Sequence, residues 1–314
     1  MRYVINHCTD AHWNMAHDEF LLEGLTETVF SLWQNAPSVI IGLNQSAYAE
    51  VNLPYLEAHG IKLARRVTGG GAVYHDLGNL NYSIAGPAKV VENHYDTMAD
   101  ALRRLGIPAE RTGRNDIMVN GRKCSGWAKR LSKDRMMIHG TLMWDVDLET
   151  LTEALAVPGS KLQAAGIASV QSRVCNLRSL LPQFKDIDSF KAALHQALAE
   201  EDPEIRLTDI QKAQVTELKH KKFGTWEWVY GRSPKTEFST TKKFPCGTVT
   251  VHYTLTHGVF SELEFTGDFI GSRPAEELAA KLLGKRPEAI LQENVKDYFE
   301  GTTVPEFLSI FPQP

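Results

Sequence analysis

Arg65 and Arg66 stand just before three consecutive glycines, Gly69, Gly70 and Gly71, and the run continues Ala72-Val73-Tyr74-His75-Asp76. Arginine presents a planar fork of donors matched to carboxylate and phosphate. Glycines put no side chain between backbone and ligand, and they reach angles that turn successive N–H groups toward one anion. Apolar residues on either side (Ile61, Leu63 and Ala64; Ala72, Val73 and Tyr74) predict short strands joined by a tight glycine turn. No Gly-Lys-Ser/Thr follows, so the phosphate loop of ATPases is absent. On the glycines alone, a bare glycine-rich hairpin is an equal reading.

A second block, Asn115 to Gly126, runs Asp116-Ile117-Met118-Val119 into Asn120-Gly121 and back through Arg122-Lys123-Cys124-Ser125. Asn-Gly after an apolar run is the strongest short hairpin signal. The turn brings Lys123 back across from the Ile117–Val119 strand, with Asp116 a few residues along it. A lysine ammonium is a compact charge that can hold a carboxylate and then neutralise charge as that carboxylate attacks a phosphate. Nucleotidyl transfer asks mainly for positioning and charge stabilisation. By itself Lys123 is an ordinary surface lysine of a hairpin; the combination of blocks gives it a role.

The elements that must hold these groups follow from periodicity. Trp13, Ala16, Phe20 and Leu21 predict a helix from near Ala11 to Gly24, with Asp18 and Glu19 on its solvated face. Thr28–Trp33 and Ser38–Ile41 read as strands paired around Asn35-Ala36-Pro37. A helix from Leu53 to His59 precedes the glycine block, and a strand from Leu80 to Ile84 follows it. Tyr95–Leu105 reads as a helix, and Met136–Trp144 as a strand carrying His139-Gly140-Thr141. The polar stretch from Lys161 to Ser172 reads as a surface loop, Leu207–Lys222 as a helix, and Gly231-Arg232-Ser233-Pro234 as a linker. Beyond it, alternating strands near Glu237–Thr241, Thr248–Leu255 and Val259–Phe265 precede helices at Ala275–Leu283 and Pro287–Phe299. The chain therefore divides into residues 1–234 and a small α+β unit, 235–314.

Among 314 residues the formal net charge is −4, so no general basic field points to nucleic acid. No apolar run reaches the ~18–20 residues of a membrane span. The cysteines Cys8, Cys124, Cys175 and Cys246 lie far apart without a CxxC pair, which favours reduced thiols in the cytoplasm.

The blocks RRVTGGGAVYHDLGNLNYS, NDIMVNGRKCSGWAKR and MMIHGTLMWDVDL, in this order, resemble those of the lipoate–protein ligases. The similarity continues through KLQAAGIASVQSRVCNL into a unit opening near WEWVYGRSP, and so covers nearly the whole chain. It implies an α+β fold: a mixed β-sheet catalytic domain of the biotin/lipoate–protein ligase type, plus a small α+β accessory domain. It implies that lipoate and ATP give lipoyl-AMP and pyrophosphate, after which a lysine of an acceptor protein attacks and releases AMP. Lys123 matches the central catalytic lysine, and Arg65 and Arg66 match arginines near the lipoyl and phosphate groups. Gly69, Gly70, Gly71, Ala72, Val73 and Tyr74 match the turn that wraps the intermediate, and His75, Asn79, His139 and Gly140 fall inside matching blocks. Ser125, Gly126 and Ala128 would pass along the adenylate, with Arg130 nearby. Asp116 would position Lys123 and also serve Mg²⁺. Lys161 to Ser172 matches a loop that closes over the adenylate, where a reactive anhydride has to be kept from water.

Trp33, Val73, Tyr74 and Trp127 are candidates by type for the apolar slot of the dithiolane, and equally candidates for plain core. Trp127 stands where small or polar residues are more usual, which would narrow the slot or move substrate preference, and Gln171 replaces an arginine. His75 and His139 read as hydrogen-bonding core residues in preference to reactive ones. Implied acceptors are lipoyl domains of 2-oxoacid dehydrogenase E2 subunits and the glycine-cleavage H protein, with the ligase a monomer. Two rival readings stand beside this one. The first is an ATP-independent octanoyl or lipoyl transferase using Cys124 or Cys175 as nucleophile, and the second is a non-catalytic lipoyl-binding protein.

Overall fold

The computed structural model describes all residues except 44, 46, 113–114, 156–171, 200–203, 232–236, 268, 270–271 and 312–314. The chain forms two compact units, one from Met1–Leu43 and Glu50–Thr225, the other from Asn44–Ala49 and Trp226–Pro314.

The first unit contains two sheets. Strands β1 (Arg2–Val4), β2 (Val29–Trp33), β3 (Ser38–Ile41), β4 (Lys62–Arg65), β5 (Val73–His75) and β6 (Asn79–Pro87) come first in the chain. They are followed by β7 (Ala109–Thr112), β8 (Asp116–Val119), β9 (Arg122–Ser132), β10 (Arg135–Met143) and β11 (Glu204–Ile205). The large sheet runs β11-β1-β2-β6-β10-β9-β8-β7, parallel at its β11/β1/β2 end and antiparallel from β2 onward. The small sheet runs β4-β3-β5. The fold is thus the mixed α+β arrangement the sequence implied.

Two pairings depart from the sequence reading. β2 and β3 are not partners: β2 enters the large sheet between β1 and β6, while β3 becomes the centre of the small one. Every residue of both strands is buried. Such continuously buried runs carry no one-sided alternation to say which neighbour they join. Nor do the glycines make a hairpin turn. β4 lies parallel on one side of β3 and β5 antiparallel on the other, so residues 66–72 cross over the C-terminal end of β3.

Helix α1 (Ala11–Glu23) starts where the Asp10 side chain accepts the Trp13 amide and stops at Gly24, as its sequence indicated. It touches β4 of the small sheet and β6 and β10 of the large one. Lying between two sheets, it buries Asn14, His17 and Asp18 along with its apolar residues. Asp18 is 1% exposed, so the expectation of a solvated face fails there; Glu19 pairs with Lys222.

The second unit is a meander of β12 (Glu237–Phe244), β13 (Gly247–Thr256) and β14 (Val259–Gly267), with a helix at Ala275–Leu282. The expected helix over 287–299 is instead two 3₁₀ turns, Pro287–Gln292 and Val295–Asp297, and a further short helix, Val304–Leu308, follows. Phe260, Phe265, Phe299, Phe307 and Phe311 fill the core of this unit. Of the expected linker, Gly231 closes a helical turn and residues 232–234 lie outside the described residues. No helix among the described residues is long and apolar enough to cross a membrane.

Candidate active site

Two cross-strand rows on one face of the large sheet build the site. In the first, Trp33 pairs with Asn81, Asn81 with Thr141, Thr141 Oγ1 accepts the Gly126 amide at 3.3 Å, and Gly126 pairs with Asp116. The second row runs Ser31, Ser83, His139, Ala128. Side chains alternate across a sheet, so these rows share a face. The opposite face carries Leu80, Tyr82, Ile138 and Trp127 in one apolar cluster. Trp127 therefore stacks on Tyr95, ring centroids 5.4 Å apart, and its ring belongs to that core. Trp127 is nonetheless among the residues that line the cavity.

Lys123 reaches the site face through a bulge. The hairpin closes at Asn120 and Gly121, both with positive φ (51° and 75°), which is the two-residue turn that Asn-Gly favours. Met118 then pairs with Lys123 but Ile117 with Ser125, leaving Cys124 as an extra residue. A bulge re-aims a side chain. Without it Lys123 would alternate onto the face of Trp127; with it, Lys123 and Gly126 share a side. The Lys123 Nζ lies 2.8 Å from Asp116 Oδ1 and 2.9 Å from where a Cβ on Gly126 would sit. The backbone of Lys123 is held from the other edge as well, its N–H donating to the Arg173 carbonyl and its carbonyl accepting the Cys175 N–H.

Across the cavity, the glycine segment is braced by both arginines. Arg66 Nη2 donates to the carbonyls of Gly69 and Gly71, each at 2.8 Å, and Nη1 to the Ile40 carbonyl. In a planar peptide the carbonyl and the next N–H point oppositely. Carbonyls drawn onto Arg66 thus turn the Gly70 and Ala72 amides the other way. Arg66 is 7% exposed, and burial pushes its guanidinium down to about 10, still charged at neutral pH. Arg65 is wholly buried, with Nη1 on the carbonyls of Gly42 and Leu43 where β3 ends. Arg130 reaches from β9 to the Val67 carbonyl.

The cavity between these parts measures about 150 Å³. Of the expected residues, Arg66, Gly70, Gly71, Ala72, Val73 and His75 line it from the loop side. Lys123, Gly126, Ala128, His139 and Gly140 line it from the sheet, and Asp116 meets it through Lys123. Arg65, Gly69, Tyr74, Asn79, Ser125 and Arg130 are not among the lining residues. Asn79 instead holds Asn81, its Nδ2 donating to Asn81 Oδ1 at 2.8 Å. Residues 161–171 of the expected closing loop, Gln171 included, lie outside the described residues.

A buried polar network, absent from the sequence reading, connects α1 to the loop. Asp18 accepts from Ser83 Oγ (2.6 Å) and bonds His139 Nδ1 (2.7 Å); His139 Nε2 meets Thr68 Oγ1 at 2.7 Å, and Thr68 Oγ1 accepts Arg66 Nε. His75 is set apart from that chain, its Nδ1 3.1 Å from the Asn35 amide. Burial first, then Arg66 and His139, push its ring down to about 3, and burial pushes His17 down to about 4. A histidine buried neutral must charge in acid. Stability from these two is complete above the unfolded value near 6.5 and is lost as pH falls from there toward 4 and then 3. The unfolding free energy from urea titrations is expected to decline below pH 6.5 by about 1.4 kcal/mol per pH unit for each ring. A His75→Gln variant should show roughly half that slope, and an unchanged slope would remove His75 from the account.

The thiols proposed as nucleophiles fit poorly. Cys124 is wholly buried and pushed up to about 12 by burial, and burial raises Cys175 too. A nucleophilic cysteine needs the opposite shift.

A family model described as "Lipoyl protein ligase A/B catalytic domain" matches residues 10–199, and one described as "Bacterial lipoate protein ligase C-terminus" matches 233–311. The chain is 34% identical to lipoate-protein ligase LplJ of Bacillus subtilis over 96% of each chain. It is 38% identical to lipoate–protein ligase 1 of Staphylococcus aureus over 90% of each. Among solved structures, an archaeal bipartite lipoate protein ligase, described with its E2 lipoyl domain, from Thermoplasma acidophilum superposes with a TM-score of 0.68 at 29% identity. It covers 75% of this chain and 98% of its own. A T. acidophilum putative lipoate protein ligase with bound lipoic acid gives 0.64 at 28% identity, covering 73% and 98%. A lipoate-protein ligase A bound with ATP gives 0.64 at 29%, covering 74% and 98%.

Proposed function

Because the chain belongs to the lipoate–protein ligase family, and so joins lipoate to protein in an ATP-dependent reaction, we propose that the cavity between Lys123 and the glycine loop is where the acid is adenylated. The observation that carries this is the Lys123 ammonium lying over Gly126, paired with Asp116, in the same cavity as the Gly70 and Gly71 backbone. Lys123 holds the lipoate carboxylate against the α-phosphate of ATP. As the carboxylate oxygen bonds to phosphorus and pyrophosphate leaves, the ammonium and the loop amides neutralise the charge on the oxygens of the transition state. In the second step the acceptor lysine's amine attacks the lipoyl carbonyl; Lys123 steadies the oxyanion, the C–O bond to AMP breaks, and an amide results. Arg65, Arg66 and Arg130 act on the loop's shape, while Gly126 and Ala128 leave room for the nucleotide.

The group of residues 1–234 carries both half-reactions, and 235–314 is an accessory domain. No cluster of three or more His, Cys, Asp or Glu side chains able to hold a metal exists among the described residues, and Asp116 Oδ1 is taken by Lys123. Mg²⁺ thus belongs with the ATP phosphates, with Asp116 offering at most one oxygen, as is usual for this ion. The acceptors are lipoyl domains of E2 subunits and the glycine-cleavage H protein, met by a monomer in the cytoplasm.

The test is ATP-dependent gain of one lipoyl mass by candidate acceptor domains incubated with the protein and lipoate, with pyrophosphate followed in parallel. Mass gain without ATP, lost on changing Cys124 or Cys175 to serine, would instead establish a transferase.

A further inference from the structure

Among the described cavity-lining residues, His75, Asn81 and Trp127 each carry a buried donor with nothing to receive it, and the first two lie near Trp33. His75 is 3% exposed and Asn81 1%, both line the cavity, and His75 Nε2 and Asn81 Nδ2 have no hydrogen-bond partner. Their orientations are fixed from behind. Asn14 Nδ2 donates to Asn35 Oδ1 at 2.7 Å, which leaves the Asn35 amide facing His75 Nδ1 at 3.1 Å. An amide nitrogen can only donate, so Nδ1 accepts and the ring proton sits on Nε2. Asn81 Oδ1 likewise accepts from Asn79, leaving its Nδ2 for the cavity. Buried donors left unpaired are costly, and native interiors rarely keep two in one place without something to accept them.

The sheet gives the distance from these donors to the reacting end. Asn81 lies two strands from Gly126 along the first row, and Trp33 three. At ~4.8 Å per strand, Asn81 is roughly 10 Å from the position of the Lys123 ammonium. An eight-carbon acid with bonds of ~1.5 Å reaches roughly 9 Å when extended. With its carboxylate at Lys123, its far end lies beside Asn81, Trp33 and His75, the last two with rings 6.2 Å apart edge-on. Met15 and Ile40 supply apolar walls. In lipoate that far end carries two sulfurs, weak acceptors that also favour aromatic neighbours; in a plain alkyl acid it carries none.

We propose that His75 Nε2–H and Asn81 Nδ2–H donate to the dithiolane sulfurs, so that this slot selects a sulfur-bearing ring over a hydrocarbon of the same shape. The proposal rests on the adenylation site assigned above. Its probe is 5-cyclopentylpentanoate, which keeps the five-membered ring and replaces both sulfurs with carbon. Calorimetric titration of the full chain should find lipoate roughly tenfold tighter than the carbocycle, the scale of one satisfied buried donor. Asn81→Leu, near in size but without the donor, should weaken lipoate and tighten the carbocycle, bringing the two within roughly threefold. General damage to the slot would not improve binding of the carbocycle. Equal affinities in the unaltered protein, as when water fills the donors, overturn the proposal without recourse to any variant. Pyrophosphate release measured beside the titration separates the two readings. Selective binding of lipoate without release fails the site assignment alone, and release from both acids at equal affinity fails the selectivity alone.

Discussion

Replacing Lys123 with alanine is expected to lower lipoate-dependent pyrophosphate release by roughly 10³-fold or more, the scale set by removing a preorganised charge from a transition state. The fold should hardly notice. The Lys123 and Asp116 side chains are 40% and 36% exposed, and pairs that wet contribute little, so the unfolding free energy should stay within ~1 kcal/mol of the parent. Lys123→Arg should not restore the rate. The guanidinium is planar and bulkier, and Gly126 leaves room only for a slim ammonium directly above its Cα. Supplying preformed lipoyl-AMP isolates transfer to the acceptor, which should fall as well, because the same nitrogen serves the carbonyl. Adenylation surviving in Lys123→Ala would move the chemistry elsewhere, and with it the whole assignment of the cavity.

Much of this was readable from local sequence. Asn120-Gly121 announced the hairpin, Gly24 the end of α1, and the alternation of residues 248–265 the meander. What escaped were facts decided by distant parts of the chain. Asp18 looks like a surface carboxylate because nothing within α1 tells that a second sheet covers its outer side. Its partners Ser83 and His139 come from strands 65 and 121 residues away. The bulge at Cys124 is equally silent: hairpin pairing continued regularly from Asn-Gly would have aimed Lys123 at Tyr95 and Trp127. The glycines were recognised as a place of close backbone approach, but the neighbour they approach was not. That neighbour is Gly42.

Gly42→Ala is therefore the second large effect expected. Its φ is ordinary, so alanine meets no backbone penalty; the obstacle is space. A Cβ there would lie 2.1 Å from the Gly70 carbonyl oxygen and 3.1 Å from its carbon, with Arg66 Nη2 at 3.2 Å. Backbone atoms cannot swing aside as a side-chain tip can, so the loop must lift by about an ångström. Lifting it pulls on the Leu43 N–H bond to Thr68 and on the Arg66 bonds to Gly69 and Gly71. Overpacking of this kind costs about 1–3 kcal/mol of stability, and a displacement of that size near the chemistry costs about 10²-fold in rate. Pyrophosphate release should fall accordingly, with the KM for ATP rising, because the amides turned by Arg66 are those that shift. Gly69→Ala is the internal comparison for stability, since a Cβ there meets nothing within 4 Å and its urea midpoint should hold. If Gly42→Ala adenylates lipoate like the parent, the loop moves freely and its shape does not limit the reaction; Lys123 would then act without a fixed cradle opposite it.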